Sequence, residues 1–110
     1  MQHLKPAELA QWLAEGAAET RPLPLLLDVR EAWEVDICKL PGSQNIPMQT
    51  LPLHLESLDA TKETVVICHH GVRSMQVVMY LERQGFSALY NLRGGVAAWA
   101  EEVDPDFPCY

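Results

Sequence analysis

Residues 65–74 read VVICHHGVRS, and this stretch decides how the chain folds. A short run of strand-forming residues, typical of a strand buried on both faces, ends at Cys68. Two histidines, a glycine and an arginine follow, and apolar residues then recur at helical spacing from Val72 to Gln84, where Gly85 ends the pattern. The stretch therefore predicts a buried strand, a tight loop that begins with a cysteine, and a helix.

The same two kinds of segment alternate along the rest of the chain. Helical patterns cover residues 6–16, 31–37, 50–58 and 94–103, strand patterns cover 25–29, 64–68 and 87–92, residues 40–47 are a turn with a short extended piece, and the tail is irregular. Strands that are apolar throughout and alternate with helices are typical of a parallel sheet with both faces covered. We therefore predict an α/β fold, with a central parallel sheet of about five strands and helices on both faces, in one domain over residues 1–110.

Composition excludes several classes of function. The net charge is −7 and the basic residues are scattered, so we expect no nucleic-acid partner. No apolar run reaches the length of a membrane span, and the first residues do not resemble a signal peptide, so we expect a cytoplasmic protein without a membrane partner, and by default a monomer. Three cysteines, Cys38, Cys68 and Cys109, are an odd number at irregular spacing, which predicts free thiols rather than a disulfide framework.

The position of Cys68 suits a reactive thiol. Ligands of parallel α/β sheets bind at the carboxyl ends of the strands, and the N-terminus of a helix carries unpaired N–H groups and partial positive charge. Gly71 permits a tight turn, and Arg73 adds a permanent charge. We therefore expect the sulfur of Cys68 to lose its proton more readily than a free cysteine, and the loop to hold negative charge.

Four separated motifs give the chain a family resemblance. LLLDVREAWE, LPGSQNIP, VVICHHGVRS and YNLRGGVAAW, in this order, are similar to the rhodanese family over roughly residues 6–104. The resemblance implies that Cys68 accepts a sulfane sulfur and holds it as a persulfide. It makes the following residues the substrate-binding loop, with the last of them opening the helix: His69, His70, Gly71, Val72, Arg73 and Ser74.

The resemblance also implies a reaction and its partners. The thiolate of Cys68 would take sulfur from a small anionic donor such as thiosulfate and give it to cyanide or a thiol, in two stages and with no cofactor. The end of the chain is similar to rhodanese domains of enzymes that activate sulfur-carrier proteins, so a protein acceptor is also expected. Many family members have Gly-His-Ile where this chain has Cys38, Lys39 and Leu40. Asp28 and Arg30 are expected to make strand-end hydrogen bonds or an ion pair rather than to act in catalysis.

Three other interpretations of the loop remain open. Phosphatases related to this family resemble Cys-x5-Arg, whereas Cys68 and Arg73 are separated by four residues, which counts against a phosphate pocket. The domain could instead be a non-turnover sulfur carrier or an interaction module for a protein partner. Cys68, His69 and His70 invite a metal site, but adjacent residues rarely converge on one ion, so we expect no metal.

Overall fold

The computed structural model describes residues 2–108 and residue 110. Strands and helices follow one another along the chain in the order β1 (Gln2–Leu4), α1 (Pro6–Ala17), β2 (Leu25–Asp28), α2 (Ala32–Ile37), β3 (Gln44–Asn45), a 3-10 helix (Met48–Ser57), β4 (Thr64–Ile67), α3 (Val72–Arg83), β5 (Leu89–Leu92) and α4 (Gly95–Glu102).

The five strands form one parallel sheet in the order β1-β5-β4-β2-β3. Strand β4 lies at the centre, where Val66 is paired with Leu27 of β2 on one side and with Asn91 of β5 on the other. All four of its residues are buried, which explains its apolar sequence. The centre of the sheet therefore fixes the point from which the chain enters the loop at Cys68.

Helices cover both faces of the sheet. Alternate residues of a strand point to opposite faces, so Val66 packs in one apolar cluster and Val65 in the other. The first cluster includes Val77 and Leu81 from α3, and the second includes residues from α1 and α4. The predicted α/β class with a parallel five-stranded sheet is therefore confirmed.

One strand had no signal in the sequence. The edge strand β1 has only three residues, of which Gln2 and His3 are polar and exposed. Its place in the sheet comes from backbone pairing with β5, where Leu4 lies opposite Leu92. Backbone pairing of so short a segment leaves no hydrophobic pattern to read.

Within the described residues, no helix is both long and apolar enough to cross a membrane.

Candidate active site

Cys68 lies directly after β4, at the carboxyl edge of the sheet. Its side chain is 1% exposed. The backbone N–H of Gly71 donates a hydrogen bond to its sulfur at 3.0 Å, and the hydroxyl of Ser74 lies 3.2 Å from the same sulfur. Gly71 has a φ of 96°, which other residues rarely adopt, and this conformation turns its N–H back towards the sulfur. The loop therefore places two polar groups on an otherwise buried thiol.

The start of α4 fixes the shape of this loop. The N–H of Val96 donates to the carbonyl oxygen of Cys68 at 2.9 Å, and the N–H of Ala97 donates to that of His69 at 3.0 Å. Gly95 makes this approach possible, because a Cβ at that position would overlap both carbonyl oxygens. The free N–H groups at the beginning of one helix are thus satisfied by the loop that precedes another.

Arg73 is engaged by a carboxylate. Its two terminal nitrogens donate to the two carboxylate oxygens of Glu34, each at 2.8 Å. The pKa of Glu34 falls to about 2, chiefly through the hydrogen bond from Arg73 and against the opposing effect of burial, with the hydroxyl of Tyr110 and the backbone of Glu31 contributing to the same result. The hydrogen bonds to Glu34 raise the pKa of Arg73, and the nearby sulfur of Cys68 also contributes to this rise. The role of Arg73 as a substrate ligand stays a prediction.

Aromatic rings cover the outer side of the loop. The ring of His69 is stacked between those of His70 and Tyr110, with both centroid distances 4.0 Å. Tyr110 also donates its hydroxyl proton to Glu34 at 2.7 Å, and Trp33 packs edge-on against it. Burial, and then the charge of His70, lowers the pKa of His69, so its imidazole is neutral at neutral pH.

A buried ion pair lies behind this ring cluster. The guanidinium of Arg30 donates to Asp28 at 2.7 Å, to the carbonyl oxygen of Cys38 at 2.7 Å and to the Tyr110 hydroxyl at 3.1 Å. Both members of the pair are fully buried. Of the two arrangements expected for Asp28 and Arg30, strand-end hydrogen bonds or an ion pair, the ion pair is confirmed. The sulfur of Cys38 also lies 3.6 Å from this guanidinium, while Lys39, at the position of the usual family histidine, is exposed.

The structure brings most of the predicted site residues together. Gly71 and Ser74 contact the sulfur, His69 is half-buried, and His70 and Val72 are exposed beside the loop. Cys38 and Cys68 are both free and lie in different apolar clusters, on opposite faces of the sheet. Cys109 lies outside the described residues. No group of three or more His, Cys, Asp or Glu side chains that could hold a metal ion occurs in the described part of the chain.

Sequence reasoning missed three residues of the site: Glu34, Asn91 and Tyr110. Asn91 had a usable signal, because it is a polar residue inside an apolar strand, where a buried amide must find partners. Glu34 had only a local one, three residues after Glu31 at the start of α2, where its carboxylate accepts from the Glu31 N–H. The contacts of Tyr110 had none, because they join parts of the chain far apart in sequence.

A cavity of about 360 Å³ lies beside the loop. It is bordered by Gly71 and Asn91, and its rim carries three basic side chains: His3, His70 and Arg93. Among the described residues that line it, none is acidic. In a chain of net charge −7, the permanent charge of Arg93 makes this rim positive, beside the loop that follows Cys68.

Comparison with known proteins agrees with this geometry. The family model described as a rhodanese-like domain matches residues 5–102. A protein named sulfurtransferase from Allochromatium vinosum is 34% identical over 93 residues, which cover 84% of this chain and 86% of that protein. The crystal structure of a rhodanese-like domain protein from Staphylococcus aureus has 31% sequence identity and a TM-score of 0.79, and the match covers 100% of this chain and 99% of that one.

Several relatives are much longer than this chain. The adenylyltransferase and sulfurtransferase MOCS3-1 from Zea mays is 41% identical over 93 residues, which cover 78% of this chain but only 20% of that protein. Across the first four curated relatives the matched part is 19% to 30% of their length. This chain therefore spans less than a third of the length of these four relatives.

Acid should weaken the fold through Glu34. The folded state holds the pKa of Glu34 at about 2, against an ordinary value of 4.5, mainly through Arg73. The unfolded chain binds this proton more readily, so the stabilisation is complete above about pH 5 and is lost as the pH falls towards about 2. We expect about 2–3 kcal/mol of the free energy of unfolding to disappear over that range, as measured by urea denaturation.

The Glu34→Gln variant should lack this part of the acid dependence, whereas Glu101→Gln, a change at an exposed helix position, should keep the wild-type slope. An equal slope in wild type and Glu34→Gln would show that the pair with Arg73 does not carry the effect.

Substitution of Gly95 should damage the loop more than substitution of a glycine with similar backbone strain. Both Gly95 and Gly85 have positive φ, but a Cβ at Gly85 meets nothing within 4 Å. Gly85→Ala should cost about 1–2 kcal/mol of stability from strain alone. Gly95→Ala should lose about 1–3 kcal/mol more, because its Cβ pushes against the carbonyl oxygens of Cys68 and His69. Equal losses in urea denaturation would contradict the close approach described here.

Proposed function

The chain belongs to the family of rhodanese-like domains, and on that premise we propose that it is a sulfurtransferase that carries sulfane sulfur as a persulfide on Cys68. The observation that carries the proposal is the pair of polar groups on the Cys68 sulfur, the Gly71 N–H at 3.0 Å and the Ser74 hydroxyl at 3.2 Å. A buried thiol with such partners, at the carboxyl end of a central strand, is suited to nucleophilic chemistry.

In the loading step, the thiolate of Cys68 attacks the outer sulfur of a donor such as thiosulfate. A bond forms between the sulfur of Cys68 and the outer sulfur of thiosulfate. The S–S bond of thiosulfate breaks, and sulfite leaves with its electron pair. The product is a persulfide whose negative charge lies on the outer sulfur. The N–H groups at the start of α3, together with the charge of Arg73, favour an anion at this place.

In the discharge step, the acceptor attacks the outer sulfur. Cyanide takes the sulfur as thiocyanate, or a thiolate takes it as a new persulfide, and the thiolate of Cys68 is released with the electron pair. The sulfur moves at the sulfane level from donor to acceptor, so the cycle needs no external oxidant or reductant. The low exposure of Cys68 keeps the persulfide away from bulk water between the two steps.

An anionic donor fits the surroundings of the loop. The cavity bordered by Gly71 carries His3, His70 and Arg93, and none of its described lining residues is acidic. A positive surface raises the local concentration of anions such as thiosulfate. We therefore propose a small sulfur-containing anion as the donor.

We also propose that the protein is a monomer in a reducing compartment such as the cytoplasm. The free thiols of Cys38 and Cys68 agree with such a compartment.

A protein acceptor is the second candidate. Two large apolar side chains beside the site are exposed, Trp33 by 61% and Val72 by 59%. Trp33 packs against the Tyr110 ring that lies on His69, and Val72 is the first residue of α3. Exposed apolar residues around a functional loop favour contact with another protein. The maize relative is named an adenylyltransferase as well as a sulfurtransferase, which supports delivery of sulfur to a protein.

Sulfur loading can be measured by intact mass. After incubation with thiosulfate, wild type should gain the mass of one sulfur atom, and cyanide should remove it. Cys68→Ser should gain nothing, and Cys38→Ser, which changes the other described free cysteine, should load as wild type does. An adduct that persists in Cys68→Ser, or its absence from wild type, would refute the proposal. A phosphate ester offered in parallel should remain intact, since hydrolysis that depends on Cys68 would indicate a phosphatase.

The role of Arg73 can be separated from that of its partner. If its charge supports the persulfide, Arg73→Gln should slow loading from thiosulfate by about 10- to 100-fold. Glu34→Gln leaves the guanidinium in place and removes the opposing carboxylate, so its loading should be faster than that of Arg73→Gln. The rates come from mass spectra of samples quenched at intervals. Equal slowing in both variants would mean that the ion pair only maintains the loop.

A further inference from the structure

Four hydrogen bonds close a ring around the sulfur of Cys68. The Gly71 N–H donates to this sulfur, and the Gly71 carbonyl oxygen accepts from the side-chain amide of Asn91 at 3.3 Å. The oxygen of that amide accepts from the Ser74 hydroxyl, which in turn lies 3.2 Å from the sulfur. All four residues are buried.

The chemistry of the partners fixes the direction of these bonds. A carbonyl oxygen only accepts, so the Asn91 nitrogen must face Gly71. The same amide nitrogen lies 3.3 Å from Nδ1 of His3 and can donate its second N–H to it when Nδ1 carries no proton. The Asn91 oxygen therefore faces Ser74 and takes the single proton of its hydroxyl. What Ser74 presents to Cys68 is a lone pair, which suits a sulfur that carries a proton.

A thiolate at Cys68 disturbs the ring. Ser74 has to turn its proton towards the charged sulfur, and the Asn91 oxygen then loses its donor inside the protein, which is unfavourable. In the persulfide the inner sulfur carries neither a proton nor the charge, so Ser74 can keep its bond to Asn91. The ring therefore suits the thiol and the loaded state better than the free thiolate.

We propose that Asn91 is a positioning residue that keeps the Ser74 proton away from Cys68, and that it thereby favours retention of bound sulfur over release of the free thiolate. The retention part rests on the proposed function, whereas the effect on the thiolate does not. Asn91 acts through Ser74 and does not itself contact the sulfur. Its removal frees a hydroxyl donor for the thiolate, which is the leaving group of the discharge step.

Several charged or titratable groups also face the loop from neighbouring elements. They are Arg73 of α3, Glu34 of α2, His69 and His70 of the loop, His3 of β1 and Arg93 before α4. Each of them acts whether or not Ser74 has a hydroxyl. A comparison of Asn91 variants with and without Ser74 therefore subtracts their contribution.

The test is a titration of the Cys68 thiolate by its ultraviolet absorbance, with the matching Cys68→Ser protein as the blank for each variant. Asn91→Leu should lower the pH midpoint, with about three- to tenfold more thiolate at a given pH below it, the effect of one hydrogen bond. The Ser74→Ala protein is the reference for the double variant, and in that background Asn91→Leu should produce no such shift. Asn91→Ala, a smaller residue, repeats the test if the leucine variant does not fold.

An unchanged or raised midpoint in folded Asn91 variants, or an equal shift without the Ser74 hydroxyl, would overturn the proposal. Discharge gives a second readout that a purely structural role would not move in this way. Persulfide loaded from thiosulfate should pass to cyanide about three- to tenfold faster in Asn91→Leu, but not in the double variant. If no variant loads sulfur while the midpoints shift as expected, the proposed function fails and the action of Asn91 on the thiolate stands.

Discussion

The site depends on one backbone contact, between the first amides of α4 and the carbonyl oxygens of Cys68 and His69. These two hydrogen bonds hold the carbonyl groups of Cys68 and His69 towards α4. The chain then reverses at Gly71, so that the N–H of Gly71 faces the sulfur. Gly95 allows the approach because it has no side chain there. Gly95 at the start of α4 therefore shapes the loop after Cys68 directly, although more than twenty residues separate them in sequence.

Much of the fold and the place of the candidate nucleophile were readable from the sequence, because they follow from local patterns. Apolar strands, helical spacing and the motif around Cys68 predicted the sheet, its helices and the position of the thiol. The contacts of Asn91 and Tyr110 were not readable, because each joins elements whose distance is set only by the packed fold. The hydrogen bonds of Arg73 followed the same rule: its sequence position suggested a group aimed at the sulfur, whereas its nitrogens bind a carboxylate of α2.

A continuous chain of polar groups lies under the aromatic rings of the site. Asp28 binds Arg30, which binds the hydroxyl of Tyr110, which binds Glu34, which binds Arg73. The single hydroxyl of Tyr110 joins two ion pairs, so each charge in the chain has a partner of opposite sign.

The Gly71 N–H, directly, and Asn91, through Ser74, act on Cys68 in opposite directions, and this opposition suits the proposed role as a carrier of sulfur. The Gly71 N–H favours negative charge on the sulfur, as an attacking thiolate requires. Asn91 draws the one available hydroxyl proton away from it. A strongly stabilised thiolate would be abundant but weakly nucleophilic, and it would leave too easily once loaded. A thiolate with only one firm donor attacks well and is a poorer leaving group. Under the proposed function, the persulfide of Cys68 would therefore pass its sulfur chiefly to a good nucleophile held close to the loop.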